Sequence, residues 1–201
     1  MANCVNEHDN LKKKAMSIGV YSGSFDPPTL AHYKIILEVI RKHTFENLFL
    51  YINRYGKKSY SANLTERKKM LELMFSQHKN LISVVSQHKQ DKRIDYRKIR
   101  GTNHNHILTL IIGEDSYLKR LGLPLEQQIS ADKVIVIPRT SIFTDLQSTL
   151  QSNDEIMFIP DIDGVSSTKV RKHLKSKDLS GIHLSKEVLR YILKNNLYQS
   201  I

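Results

Sequence analysis

The chain has 201 residues, 40% hydrophobic and 25% charged, and its 31 lysines and arginines against 20 aspartates and glutamates give a formal net charge of +11. That composition supports a buried core without staples. The single cysteine, Cys4, excludes an internal disulfide framework and suits a reducing, cytoplasmic setting, and no apolar run reaches the roughly 18 residues of a membrane span.

The positive surplus favours polyanionic partners: nucleic acid, nucleotides or phosphorylated metabolites. A merely solvated basic surface would carry the same surplus. Residues 1–15 are polar and charged and lack the apolar segment of a secretory signal. They read as an N-terminal extension, with Met16 as an alternative start and 16–201 as one domain.

Short apolar, β-rich runs then recur: SIGVY (17–21), NLFLYI (47–52), LISVV (81–85), ILTLII (107–112), KVIVIP (133–138) and EIMFIP (155–160). Their apolarity is continuous rather than alternating, as in strands covered on both faces of a parallel sheet. Helical patterns lie between them. Leu30, Tyr33, Leu37 and Ile40 mark the first. Asn63 with Glu66 three residues later is a capping signature for the second, followed by Met70, Leu71 and Met74. The polar, basic stretch 86–106 carries the least structural signal, and its His104 and His106 read as exposed loop histidines rather than a metal site. The segments 166–177 and 185–198 read as two consecutive helices, each opened by serine. This order predicts an α/β, Rossmann-like doubly wound open parallel sheet with C-terminal helices. Ligands in such sheets sit outside the C-terminal strand ends, where the strand order reverses.

Two phosphate motifs are excluded. There is no G-x-G-x-x-G, and YGKKS (55–59) lacks the first glycine of a P-loop because Tyr51 stands in its place. The stretch GVYSGSFDPPTLAHYKII (19–36) offers something else. Gly23 permits a tight turn after a strand, small serines allow close approach, and Pro27 and Pro28 hold the loop extended before a helix start that favours anions. Thr29 and His32, three residues apart, share one helix face. GVSSTKVRKHL (164–174) is a second such start, with Ser166, Ser167 and Thr168 followed by Arg171, a residue suited to bidentate phosphate binding. Each stretch by itself is equally a capped helix, the first with a satisfied, partly buried histidine.

Together the two stretches carry a resemblance. GSFDPPTLAH (23–32) resembles the G-[ST]-F-D-P-x-[HT]-x-G-H signature of the nucleotidyltransferase superfamily, and VSSTKVR (165–171) is similar to its I-S-S-T-x-x-R motif. LIIGEDSY (110–117), VIVIPR (134–139), LSKEVLRYILKNNLY (184–198) and, less sharply, SANLTERKKMLELMF (61–75) resemble segments of the nicotinate/nicotinamide mononucleotide adenylyltransferases. Ser22 and Ala31 stand where that family has glycine. Its Ser-Tyr-Thr-x-Asp-Thr segment is replaced within 86–106, which is therefore expected to choose the acceptor.

The resemblance implies transfer of AMP from ATP to the phosphate of a pyridine mononucleotide, with pyrophosphate leaving and Mg²⁺ carried by the substrate. It implies that His32 donates to an α-phosphate oxygen, beside Thr29 and the Ser24 and Phe25 amides. Arg171, with Ser166, Ser167 and Thr168, would hold the β- and γ-phosphates, and Lys57 or Lys58 would add charge. Gly113 and Asp115 would approach the nucleotide sugars, and Arg139 the nucleotide or acceptor. The same chemistry on phosphopantetheine is the near alternative, a basic nucleic-acid-binding protein the distant one, and a cytidylyltransferase the least favoured of the enzymes.

Overall fold

The computed structural model describes residues 16–54, 60–87, 99, 106–123, 131–138, 144–162 and 164–199, with backbone alone at 144 and 145. Six strands, β1 (Ser17–Gly23), β2 (Asn47–Ile52), β3 (Ile82–Ser86), β4 (Ile107–Gly113), β5 (Lys133–Ile137) and β6 (Glu155–Ile156), form one sheet in the order β3-β2-β1-β4-β5-β6. Every pairing is parallel. The helices are α1 (Leu30–Lys42), α2 (Leu64–Met74), α3 (Glu114–Leu121), the single turn α4 (Thr144–Gln147), α5 (Ser167–Ser176) and α6 (Lys186–Lys194). This is the open, Rossmann-like α/β fold expected, and its strand order reverses between β1 and β4.

The continuous apolar runs are explained by cores on both faces. Along β1, Ile18 and Val20 enter one core and Tyr21 the other; along β5, Val134 and Val136 enter the first and Ile135 and Ile137 the second. Alternation is still present, with both sides apolar. The second core also receives α1, α2, α5 and α6 through Ile36, Met70, Val170 and Val188. Gly19 faces that side by alternation along β1, and a Cβ there would collide with the Leu48 side chain beside Phe45.

Two expectations need correction. The sixth strand ends at Ile156 rather than at 160. It is an edge strand, and after one further bond, Met157 N–H to the Val136 carbonyl at 2.9 Å, the chain leaves the ladder while burying Met157 and Ile159. His106 is buried rather than exposed, with Nε2 2.6 Å from Glu46 Oε2. His104 lies outside the described residues, and among the described residues no group of three potential metal ligands occurs.

Candidate active site

The loop from β1 to α1 stands at the reversal of strand order. Phe25 takes a positive φ of 48°, a rare and costly conformation for an aromatic residue. Gly23 makes room for it, since a Cβ there would lie 3.0 Å from the Phe25 ring. The loop is held from beneath by two buried charges. Asp26 accepts the Ser61 and Ala62 amides at 2.8 and 3.0 Å. Arg67 donates from Nη1 to the Ser24 and Asn53 carbonyls at 2.7 and 2.9 Å, and its guanidinium lies 3.9 Å above the Tyr60 ring centroid. Neither residue stands out as site-forming in the sequence, although both fall within the segments that resemble the family.

Thr29 is the N-cap of α1 and is fully buried. Its amide donates to His32 Nδ1 at 2.9 Å, and its hydroxyl lies 2.9 Å from the same nitrogen. An accepting Nδ1 places the proton of the neutral ring on Nε2. Burial lowers the His32 pKa from 6.5 to about 4, so at neutral pH the ring is uncharged with Nε2–H as a donor. The Phe25 ring meets it edge-on at 5.1 Å, and the Tyr21 ring lies 6.3 Å away. Thr29 thus engages His32, which it holds, instead of standing beside it as a second open donor.

His32 and Thr29 line a cavity of about 480 Å³ with Tyr21, Gly113, Pro138, Ser166, Ser167 and Lys169. The α5 start reaches it through Ser167, whose hydroxyl donates to the Pro27 carbonyl at 2.7 Å, while Ser166 Oγ caps the helix by accepting the Lys169 amide at 3.2 Å. Gly113 ends β4 with nothing within 4 Å of where a Cβ would stand, which leaves that wall open. Asp115 follows in the exposed first turn of α3, outside this lining. Among the described residues Lys169 is the cation of the cavity wall, and sequence reasoning passed over it. Its position one turn into the serine-capped helix was the available signal.

Arg171 does not line this cavity. It borders an adjoining hollow of about 500 Å³ with Ser61, Thr168, Lys172, Lys175 and Tyr198. Its Nη1 donates to the Asp26 carbonyl and its Nη2 to Thr168 Oγ1 at 3.2 Å. The α5 start divides between the two spaces: Ser166, Ser167 and Lys169 line the first, Thr168 and Arg171 the second. Lys57, Lys58 and Arg139 lie outside the described residues.

The comparisons agree with this architecture. The family model described as cytidylyltransferase-like matches residues 20–173. A Leptospira borgpetersenii protein named "Probable nicotinate-nucleotide adenylyltransferase" is 30% identical, covering 90% of this chain and 95% of its own. The Bacillus subtilis nicotinate-nucleotide adenylyltransferase is 23% identical over 91% and 98% of the two chains. The structure of Plasmodium falciparum nicotinic acid mononucleotide adenylyltransferase complexed with NaAD shares the fold, with a TM-score of 0.76, 20% identity and coverage of 91% and 97%. The match of motif, fold and near end-to-end relatives means that this chain belongs to the cytidylyltransferase-like family and, within it, groups with the nicotinate-nucleotide adenylyltransferases.

Proposed function

We propose that this protein transfers AMP from ATP to the phosphate of nicotinate or nicotinamide mononucleotide. A phosphate oxygen of the mononucleotide attacks the α-phosphorus, a new P–O–P linkage forms, and the bond to the β-phosphate oxygen breaks to release pyrophosphate. The observation that carries the reading is His32 in the wall of the cavity at the reversal of strand order, its Nδ1 accepting the Thr29 amide so that Nε2 is left to donate. Such a transfer needs no protein nucleophile. It needs donors set in advance around oxygens that gain charge.

In this reading His32 donates to an α-phosphate oxygen and Thr29 keeps its ring in place, with the Ser24 and Phe25 amides alongside. The α5 start, Ser166 to Thr168 with Lys169, faces the polyphosphate, and Arg171 holds the β- and γ-phosphates. Gly113 and Asp115 approach the sugars, Arg139 the acceptor, and Lys57 adds charge. We assign Mg²⁺ to ATP as its chelate, where it would neutralise phosphate charge. We place the reaction in the cytoplasm, the reducing setting that a chain with one cysteine suits.

Pyrophosphate release is the test, with ATP offered alongside nicotinate mononucleotide, nicotinamide mononucleotide or phosphopantetheine. Turnover with a pyridine mononucleotide is expected. Turnover with phosphopantetheine alone would move the acceptor assignment, and inactivity with all three would overturn the reading.

A further inference from the structure

We propose that Tyr198 is a positioning residue for the leaving pyrophosphate, acting through Asp26 to keep the Arg171 guanidinium available. The inference rests on Arg171 holding the β- and γ-phosphates.

The chain after α6 is built to deliver this side chain. Leu197 N–H donates to the Ile192 carbonyl at 3.0 Å and Asn196 N–H to that of Leu193 at 3.3 Å, with Asn196 at φ 50°. That pattern is a Schellman helix end with asparagine in the left-handed position. Tyr198 then takes φ 62°, which is strained for a bulky residue and persists where its surroundings compensate. The compensation is visible. Its ring packs on the core, and its phenol donates to Asp26 Oδ1 at 2.8 Å. Burial first, and Asp26's charge next, push the phenol's pKa up, so it remains a donor throughout the neutral range.

Asp26 meets both partners at once. Its carboxylate takes the Tyr198 phenol and the Ser61 and Ala62 amides, while its carbonyl accepts from Arg171 Nη1, and Oδ2 lies only 4.0 Å from that nitrogen. Without the phenol, the carboxylate keeps only the Ala62 amide on Oδ1 and the Ser61 amide on Oδ2, and more of its charge is left to act on Arg171, 4.0 Å from Oδ2. A carboxylate drawn onto the guanidinium competes with any phosphate there. The phenol therefore limits how far Asp26 neutralises the cation that pyrophosphate requires. Lys172 and Lys175, which share the hollow with Tyr198, mark it as a space for a multiply charged anion.

Tyr198→Phe removes one oxygen and keeps the packing. The test measures KM for pyrophosphate and kcat in the reverse direction, direct pyrophosphate binding by calorimetry, and Tm. The expected result is a rise of about tenfold in KM and in Kd for pyrophosphate, the scale of one hydrogen bond to a charged group, with kcat changed by less than about threefold. Adding Asp26→Asn to that background removes the competing charge and is expected to recover part of the affinity. A Tyr198→Phe protein that loses Tm but keeps its pyrophosphate KM and Kd overturns the inference. Absence of recovery in a folded double variant also overturns it. Should the double variant not fold, the single substitution decides. A wild-type protein that neither turns over nor binds pyrophosphate would overturn the proposed function, and this inference with it.

Discussion

The two helix starts at the site carry the same sequence pattern, a threonine followed three residues later by a nitrogen-rich side chain, yet the fold makes different chemistry of them. At α1, Thr29 is buried, its amide is engaged by His32 and the Leu30 amide by the His183 carbonyl at 3.0 Å. At α5, Thr168 is exposed and Arg171 keeps 28% of its side chain accessible. The first pair becomes a rigid neutral donor, the second a charged and accessible clamp. Spacing places two groups on one face, but burial decides whether the pair delivers a dipole or a full charge.

Exchange of the roles would break this contrast, and the largest effect is expected at α1. His32→Ala should lower kcat by about 10²–10³, the loss typical of one donor to a developing oxyanion, with the fold intact by circular dichroism; a fully active variant would remove His32 from the mechanism. At α5, Arg171→Lys should behave nearly as Arg171→Ala. A lysine cannot hold the Asp26 carbonyl and Thr168 while presenting a planar fork to phosphate, and roughly a tenfold or greater loss in kcat/KM for ATP is expected. A smaller step separates the threonines. Thr29→Val should reduce kcat by about fivefold, as for one buried hydrogen bond, and Thr168→Val by no more than about twofold. Equal effects would mean that the burial contrast is irrelevant to turnover.

The smallest effect concerns pH. The imidazole in the unfolded chain binds its proton near 6.5, whereas folded His32 does so near 4. Between those values the unfolded state holds more protons, so stability falls as pH drops from about 6.5 to about 4. Urea midpoints of the wild type should show this decline more steeply than those of His32→Asn. Nitrogen-15 NMR at pH 6 should find His32 neutral and protonated on Nε2, and an Nδ1–H tautomer would contradict the donor assignment.

Much of the fold was legible because its signals are local. Six apolar runs located six strands, and Asn63 does cap α2 by accepting the Glu66 amide at 2.9 Å. The reciprocal half of that expected box is replaced, since the Glu66 carboxylate accepts from the Tyr191 phenol at 2.7 Å and ties α2 to α6. Long-range partners of this kind leave no trace in spacing. The roles of Asp26 and Arg67 were hidden for the same reason: a charged residue in a loop or a helix pattern reads as solvated until the fold buries it. Thr29 and His32 were identifiable as a pair, but which nitrogen of the ring would be left to donate depends on an amide position that only the folded loop supplies. The division between the His32 cavity and the Arg171 hollow was likewise illegible, because it depends on which way successive residues of the α5 start face in the fold.

The hold on the motif loop carries a consequence for how the protein is made. Residues 23–32 emerge from the ribosome early, but Ser167 grips the Pro27 carbonyl, the His183 carbonyl takes the Leu30 amide, and Tyr198 closes on Asp26. The nascent chain can therefore assemble β1 and α1 long before it possesses a finished active site. Competence should arrive only once the turn after α6 has been made and is free to fold back.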